Sequence, residues 1–334
     1  MNIAVLGSGG WGTALSLLLL ENGHRVTLWS HHEEKAREMD RTRVNPMLKG
    51  VFLPQELLIT GDLKQAVAKA QMVVSAVPSF AVRETAEALA RVIEPGAVVV
   101  SVSKGIERDT GLRLSQIIEG ILDRSHPVAA LCGPSHAEEV ARRMPTACVA
   151  ASPLCQVAEW VQDTFMNQRF RVYTSPDIVG AELGAALKNV IALCCGVCDG
   201  MGYGDNTRAM LMTRGLAEMA RLGVMLGGRR ETFGGLTGVG DLIVTCTSMH
   251  SRNRRAGILI GQGHTPEEAM KRVGAVVEGY YATGNAYALA KKTGVDMPIV
   301  EAAYRVLYEG QQIHSLEAAL MQRTRKHEIE ESWA

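Results

Sequence analysis

The sequence predicts a doubly wound α/β sheet followed by an all-helical region. Two observations carry this reading. Through the first half, short and nearly continuous apolar runs alternate with helical stretches, as parallel strands covered on both faces require. From about residue 178 the alternation stops, and helical periodicity with glycine-rich joints replaces it. A division into residues 1–178 and 179–334 follows, and 334 residues suit two units of ~150 residues each.

Strands are expected at 2–6 (NIAVL), 25–29 (RVTLW), 72–77 (MVVSAV), 97–102 (AVVVSV), 127–131 (PVAAL) and 146–151 (TACVAA). Helices are expected at 79–93, 111–122 and 135–142. The texture changes at RFRVYTSPD, residues 169–177. Beyond it, joints fall at GMGYGDN (200–206) and FGGLTGVGD (233–241), and the tail RKHEIEESWA reads as a solvated end. The segment GAALKNVIALCC (184–195) reads as a helix that is apolar nearly all round. Residues three and four apart share a helix face, so Lys188 lies on a stripe with Ala181, Gly184, Ala185, Ile191, Ala192 and Cys195. No carboxylate on that stripe can pair with the ammonium. A partner from another segment is required.

Lys+Arg and Asp+Glu number 35 each, so the chain lacks the overall basic footprint of a nucleic-acid binder, though a local anion site stays open. Seven cysteines show neither a disulfide framework nor zinc-module spacing, so no metal is expected. Cys194, Cys195 and Cys198 read as small buried apolar residues, which fits a reduced, cytoplasmic setting. LSLLLL (15–20) follows a glycine-rich turn and has no basic segment before it, unlike a secretory signal. No stretch approaches the ~20 apolar residues of a membrane-spanning helix, and no span is expected.

GSGGWG places Gly7, Gly9 and Gly12 directly after the first strand and at the opening of a helix. In this context GxGxxG signals a Rossmann-type dinucleotide site. Gly7 permits the tight turn, Gly9 lets the backbone approach a pyrophosphate, and Gly12 lets helix and strand pack closely. The helix N-terminus attracts the phosphate charge, and Gly10 and Trp11 lie in the same loop. A merely structural glycine turn is the alternative. An NAD-specific site usually carries Asp or Glu at the end of the second strand. Here WSHHEEK places Ser30, His31 and His32 there, with Lys35 and Arg37 nearby. NADP is therefore expected alongside NAD, although the histidines also read as ordinary loop residues.

Ligands in such sheets sit beyond the carboxyl ends of the strands. Lys104 (SVSKG), Gly133 and Ser135 (LCGPSHAEE) occupy such ends, with a helix expected to start at Ser135. Lys104 also reads as a plain surface lysine. In the helical region, GVGDLIVTC carries Asp241 and Thr245 four apart on one face. A buried Asp needs a cationic or donating partner, unless it only caps a helix. Ser251, Arg252 and Asn253 in HSRNRR would grip a phosphate, since a guanidinium matches phosphate oxygens bidentately. The run also reads as a solvated basic face.

Together these segments resemble the NAD(P)-dependent glycerol-3-phosphate dehydrogenases of bacteria. The resemblance spans nearly the whole chain, through GSGGWGTA, NPMLKGVFLP, SVSKGIE, CGPSHAEEVARRMPTA, GAELGAALKNVIA, GDNTRAMLMTRGLAEM, GLTGVGDLIVTC, SRNRRAG and VVEGYYA in that order. It implies a Rossmann-type domain followed by a helical domain, often as a homodimer. It further implies reversible reduction of dihydroxyacetone phosphate to sn-glycerol 3-phosphate for phospholipid synthesis. Lys188 matches the lysine taken as proton donor and acceptor. Lys104, Gly133, Ser135, Asp241, Ser251, Arg252 and Asn253 match substrate positions, and Asn189 and Thr245 look like polar neighbours of the reacting centre. Gly10, Trp11, His31, His32, Lys104, Ala137, Arg252, Val276 and Glu278 match cofactor positions. One departure is His136, where related sequences often carry Phe.

The implied roles are Lys188 as acid, Lys104 as added positive potential and Asp241 as the group that holds Lys188. A two-domain dehydrogenase of a β-hydroxyacid or a ketopantoate-like carboxylate is the rival reading; SRN and GVGDLIVTC favour a phosphoester. A non-catalytic dinucleotide sensor would need the cradle but not the lysine, aspartate and arginine set.

Overall fold

The computed structural model describes residues 1–325, 327 and 328. Eight strands form one sheet: β1 (Asn2–Leu6), β2 (Arg25–Trp29), β3 (Leu58–Thr60), β4 (Met72–Ser75), β5 (Val98–Ser101), β6 (Val128–Cys132), β7 (Thr146–Ala151) and β8 (Phe170–Ser175). The order is β3-β2-β1-β4-β5-β6-β7-β8. It reverses between β1 and β4, which opens a crevice beyond the carboxyl ends of those strands. Alternate residues point to opposite faces, so Ile3, Val5 and Val100 enter one core with Leu15, Leu19 and Phe165. Ala4, Leu6 and Val99 enter the other, with Leu114 and Ile117.

Several sequence expectations need correction. β7 runs antiparallel to β6 and parallel to β8. Strand direction depends on how the connection returns, which apolar patterning does not encode. β3 was not expected, because three residues with an exposed Leu58 carry little pattern. RFRVYTSPD contains an edge strand rather than only a joint. One face of β8 is exposed at alternate positions, so its sequence lacks the continuous apolar run. The helix expected from Ser135 begins at Ala137, with His136 at its N-cap. The stretch expected as helix 79–93 is a short 3₁₀ turn, Ser79–Ala81, followed by Val82–Leu89. The tail at 325–334 lies mostly outside the described residues.

After β8 the described chain is helical. The Ile178–Gly200 helix runs through the middle of this part. It is long and apolar enough, by composition, to cross a membrane, contrary to the expectation that no stretch would be. Its apolar window is 89% buried inside the protein, which explains a composition with no wet face. Its start is fixed twice. Asp177 accepts the Gly180 N–H at 2.8 Å, and the buried Glu182 accepts the N–H and hydroxyl of Ser115 at 2.9 and 2.6 Å. The second contact ties the helix to the sheet half.

Its far end packs backbone to backbone on the Arg252–Gly261 helix. A Cβ on Gly196 would lie 2.1 Å from the Arg254 carbonyl oxygen, and one on Gly257 would lie 2.1 Å from that of Leu193. Side chains cannot enter that interface without separating the helices. This close approach brings Ser251–Asn253 alongside Asn189.

Candidate active site

The glycine loop is shaped by two different demands. Gly7 has φ +120°, and a Cβ there would lie 2.5 Å from the Ala76 carbonyl oxygen; one on Gly12 would lie 2.0 Å from the Gly7 oxygen. The protein itself requires these two glycines. A Cβ on Gly9 would meet no protein atom within 4 Å, so the close approach that Gly9 permits is to something other than the fold. The Gly10–Glu21 helix starts there, with no side-chain cap and no acidic residue in its first turn. Its leading N–H groups and positive dipole end are therefore free for an anion. These features fit a dinucleotide pyrophosphate. Asn45 braces the loop, donating to the Ser8 carbonyl at 3.1 Å and to Thr13 Oγ1 at 2.7 Å.

Near the end of β2, His31 and His32 are exposed, with ring centroids 5.2 Å apart, and His31 lies edge-on to Trp29 at 5.8 Å. Ser30 is buried, its hydroxyl taken by Ser8 at 2.9 Å. Lys35 donates to the Ser8 carbonyl at 3.1 Å, whereas Arg37 is turned outward onto Glu33. Of the two nearby cations, only Lys35 reaches the cradle.

The reacting end is an ion triad. Asp241 is 1% exposed and Lys188 4% exposed. Lys188 Nζ donates to Asp241 Oδ1 and, at 2.6 Å, to Thr245 Oγ1. Lys104 Nζ donates to Asp241 Oδ2 at 2.8 Å and to the Gly133 carbonyl at 3.0 Å. Thr245 passes its own proton to the Asp241 backbone carbonyl at 2.6 Å, one turn back on the Asp241–Thr247 helix. The i, i+4 spacing thus presents both oxygen groups to one ammonium.

Each member of the triad titrates differently. Burial pushes the Asp241 carboxyl up, but the two ammoniums outweigh it and the net shift is downward. For Lys104, burial works against the charge, yet Asp241 outweighs it and the ammonium is held above its ordinary value. For Lys188, burial dominates, Asp241 opposes, and the like charge of Lys104 adds to the penalty; its pKa falls to about 8. One carboxylate cannot fully compensate two cations, and the more deeply buried lysine yields its proton first. The neighbouring thiols stay protonated, with burial raising Cys132 and pushing Cys148 to about 12.

Around the triad, Gly133 has φ +145° and sits against Cys148. Ser135 donates to the Gly133 carbonyl at 2.9 Å, the same oxygen that accepts Lys104. Arg252 is exposed and makes no ion pair among the described residues. Ser251 caps its helix by accepting the Arg254 N–H at 3.2 Å. Asn253 is buried and its side chain is engaged within the protein. Its Nδ2 donates to Asn189 Oδ1 and its Oδ1 accepts the Gly279 N–H, both at 2.8 Å. Asn253 therefore ties three helices together and holds Arg252 in place.

Glu278 accepts the Ser79 hydroxyl at 2.9 Å, joining the helical part to the AVPSF loop. Burial raises its pKa, against the pull of Ser79 and Arg252. Val276 is half-buried two residues before it. Ala137 is the nearest neighbour a Cβ on Gly10 would meet, at 3.6 Å. Trp11, half-buried, has an indole N–H without a partner among the described residues.

Reading the sequence missed Asn45 and the inward turn of Lys35. Asn45 carried a signal, since it precedes Pro46 and Asn-Pro marks a fixed turn. Ser79 lies in AVPSF, residues 76–80, a strand end that the sequence places beside the cofactor, but its tie to Glu278, 199 residues away, leaves no pattern.

The chain is similar to known proteins along nearly its whole length. The chain matches the family described as NAD-dependent glycerol-3-phosphate dehydrogenase, its N-terminal part over residues 2–158 and its C-terminal part over residues 177–318. It is 55% identical over 331 residues to glycerol-3-phosphate dehydrogenase [NAD(P)+] of Moorella thermoacetica, covering 98% of each chain. It is 52% identical to the protein of the same name from Thermoanaerobacter sp., covering 98% of this chain and 99% of the relative. Among solved structures, glycerol-3-phosphate dehydrogenase from Coxiella burnetii aligns with TM-score 0.93 and 37% identity, over 96% of this chain and 99% of that one. A glycine cradle, a buried lysine–carboxylate–lysine triad and matches along both halves lead to one assignment: the chain belongs to the NAD(P)-dependent glycerol-3-phosphate dehydrogenase family.

Proposed function

We propose that this chain interconverts dihydroxyacetone phosphate and sn-glycerol 3-phosphate, with Lys188 as the group that gives and takes the proton. The observation that carries the proton role is the sharing of Asp241 by two lysines, of which Lys188 is the one brought close to neutral pH. Gly7, Gly9 and Gly12 would hold the pyrophosphate of a reduced nicotinamide dinucleotide, which would supply the hydride for the ketone carbon. Negative charge develops on the ketone oxygen, and a positioned acid must meet it. Lys188 protonates that oxygen. Lys104 stays charged beside it and adds positive potential, while Asp241 and Thr245 hold Lys188 in one orientation. In the reverse direction, neutral Lys188 removes the hydroxyl proton.

Gly133 and Ser135 line the substrate from the sheet side. Arg252, with Ser251, Asn253 and Asn189 behind it, grips the phosphate. Gly7, Gly9, Gly10, Trp11 and Gly12 hold the pyrophosphate. His31, His32 and Lys35 receive the adenosine ribose and tolerate a 2′-phosphate. Ala137, Val276 and Glu278 complete the cofactor side, together with Lys104 and Arg252. Residues 1–178 thus act as the dinucleotide-binding domain and residues 179–334 as the substrate domain. Cys132, Cys148, Cys195 and Cys246 are buried thiols, which suits a reducing cytoplasm. A homodimer supplying the glycerol backbone of phospholipids completes the reading.

The test is absorbance at the nicotinamide band with NADH and NADPH separately, against dihydroxyacetone phosphate and a panel of 2-keto carboxylates. Oxidation with the phosphoester supports the proposal. Preference for a carboxylate overturns it.

A further inference from the structure

His136 stands between Ser135, proposed above to line the substrate, and Ala137, proposed on the cofactor side, at the N-cap of the Ala137–Ala141 helix. Its ring is packed at 5.6 Å against that of His250, an exposed residue just ahead of the phosphate-binding segment. Its Nε2 is fully buried and has no hydrogen-bond partner among the described residues. A buried nitrogen left this way is costly, so its placement calls for a partner that the described residues do not provide.

Burial lowers the pKa of the ring first, then the ammoniums of Lys188 and Lys104; Glu139 and Glu138 of its own helix oppose them more weakly. The imidazole is therefore held neutral. An unprotonated Nε2 is an acceptor with no donor among the described residues, and it matches a ligand hydroxyl rather than a second oxyanion.

Resting on the reading above, we infer that His136 is a substrate-specificity residue whose Nε2 accepts a hydrogen bond from the free hydroxyl on the carbon of dihydroxyacetone phosphate that carries no phosphate. Arg252 then reads the phosphate end and His136 the hydroxyl end, with the ketone held at Lys188 between them. A site built to bond a hydroxyl rejects the analogue lacking it, because its own polar atom is then left unpaired.

The experiment compares kcat/KM for dihydroxyacetone phosphate with that for hydroxyacetone phosphate, which keeps the ketone and phosphate but lacks this hydroxyl. The wild-type ratio should favour the former, and His136→Phe should reduce that ratio ~10-fold or more. His136→Gln, whose amide oxygen still accepts, should retain most of the ratio; it also serves if the Phe variant fails to fold. An equal ratio in wild type and His136→Phe overturns the inference, as does a change confined to the KM for NADPH. Absence of any wild-type turnover of dihydroxyacetone phosphate would instead overturn the substrate reading itself, and this inference with it.

Discussion

Lys188 and Lys104 share a single carboxylate, one on each oxygen of Asp241. The two lysines come from different halves of the chain, on the central helix and just past β5. Asp241 therefore does two things at once. It compensates buried charge, and it ties the helical part to the sheet half through Lys104. Removing one partner of a buried pair leaves an uncompensated charge, typically at a cost of ~3–5 kcal/mol.

Replacing Lys188 with Ala should lower turnover of dihydroxyacetone phosphate by ~10² or more, the usual scale for losing a general acid. Steady-state kinetics would check this. Turnover close to wild type would remove the proton role from Lys188.

Arg252→Ala should act mainly on the Michaelis constant for dihydroxyacetone phosphate, raising it ~10-fold or more, because a lost charge-assisted bond is worth ~1.5–3 kcal/mol. The side chain is exposed and makes no ion pair among the described residues, so the fold should be unaffected. An unchanged Michaelis constant would place the phosphate elsewhere.

Substituting His31 and His32 together by Ala should shift the ratio of NADPH to NADH efficiency toward NADH, by several-fold. Lys35 remains on the Ser8 carbonyl and preserves part of the preference. A ratio identical to wild type would detach both histidines from cofactor choice.

Gly184 lies one turn before Lys188, and a Cβ there would sit 2.5 Å from the Thr237 carbonyl oxygen. Gly184→Ala must push the central helix away from the Leu236–Gly240 turn that leads into Asp241. Overpacking of this kind costs ~1–3 kcal/mol. Thermal denaturation should show a lowered midpoint, and kcat should fall because Lys188 and Asp241 separate. A variant with wild-type midpoint and kcat would mean that this contact does not set the triad.

Local features were the most legible in the sequence. The cradle could be read because Gly7, Gly9 and Gly12 act within one turn, and the sheet core because each buried strand carries its own apolar run. Lys188 could be read only as an unpaired charge in an apolar helix, since Asp241 is 53 residues away. Its role as proton donor is what the family resemblance implies, and Asp241 is the carboxylate expected from another segment. The antiparallel course of β7 and the existence of β3 depend on tertiary pairing and left no pattern. The ties of Asn253 to Asn189 and Gly279 leave no pattern in the sequence, because those partners lie on two other helices. His136 stood out only as a departure from related sequences until its buried nitrogen could be seen.

The proton chemistry is tested most directly by the pH dependence of kcat/KM for wild type and Asp241→Asn, in both directions. Reduction of the ketone needs Lys188 charged, so wild-type kcat/KM, which reports the free enzyme, should be level at low pH and fall as pH rises through about 8. Oxidation of the alcohol needs Lys188 neutral, so its kcat/KM should rise through the same value. Without the Asp241 carboxylate nothing opposes burial and Lys104, the lysine pKa drops further, and both limbs should move to lower pH with kcat for reduction reduced. Limbs that stay in place in the Asp241→Asn enzyme, or a wild-type profile with no limb near pH 8, would contradict Lys188 as the proton donor.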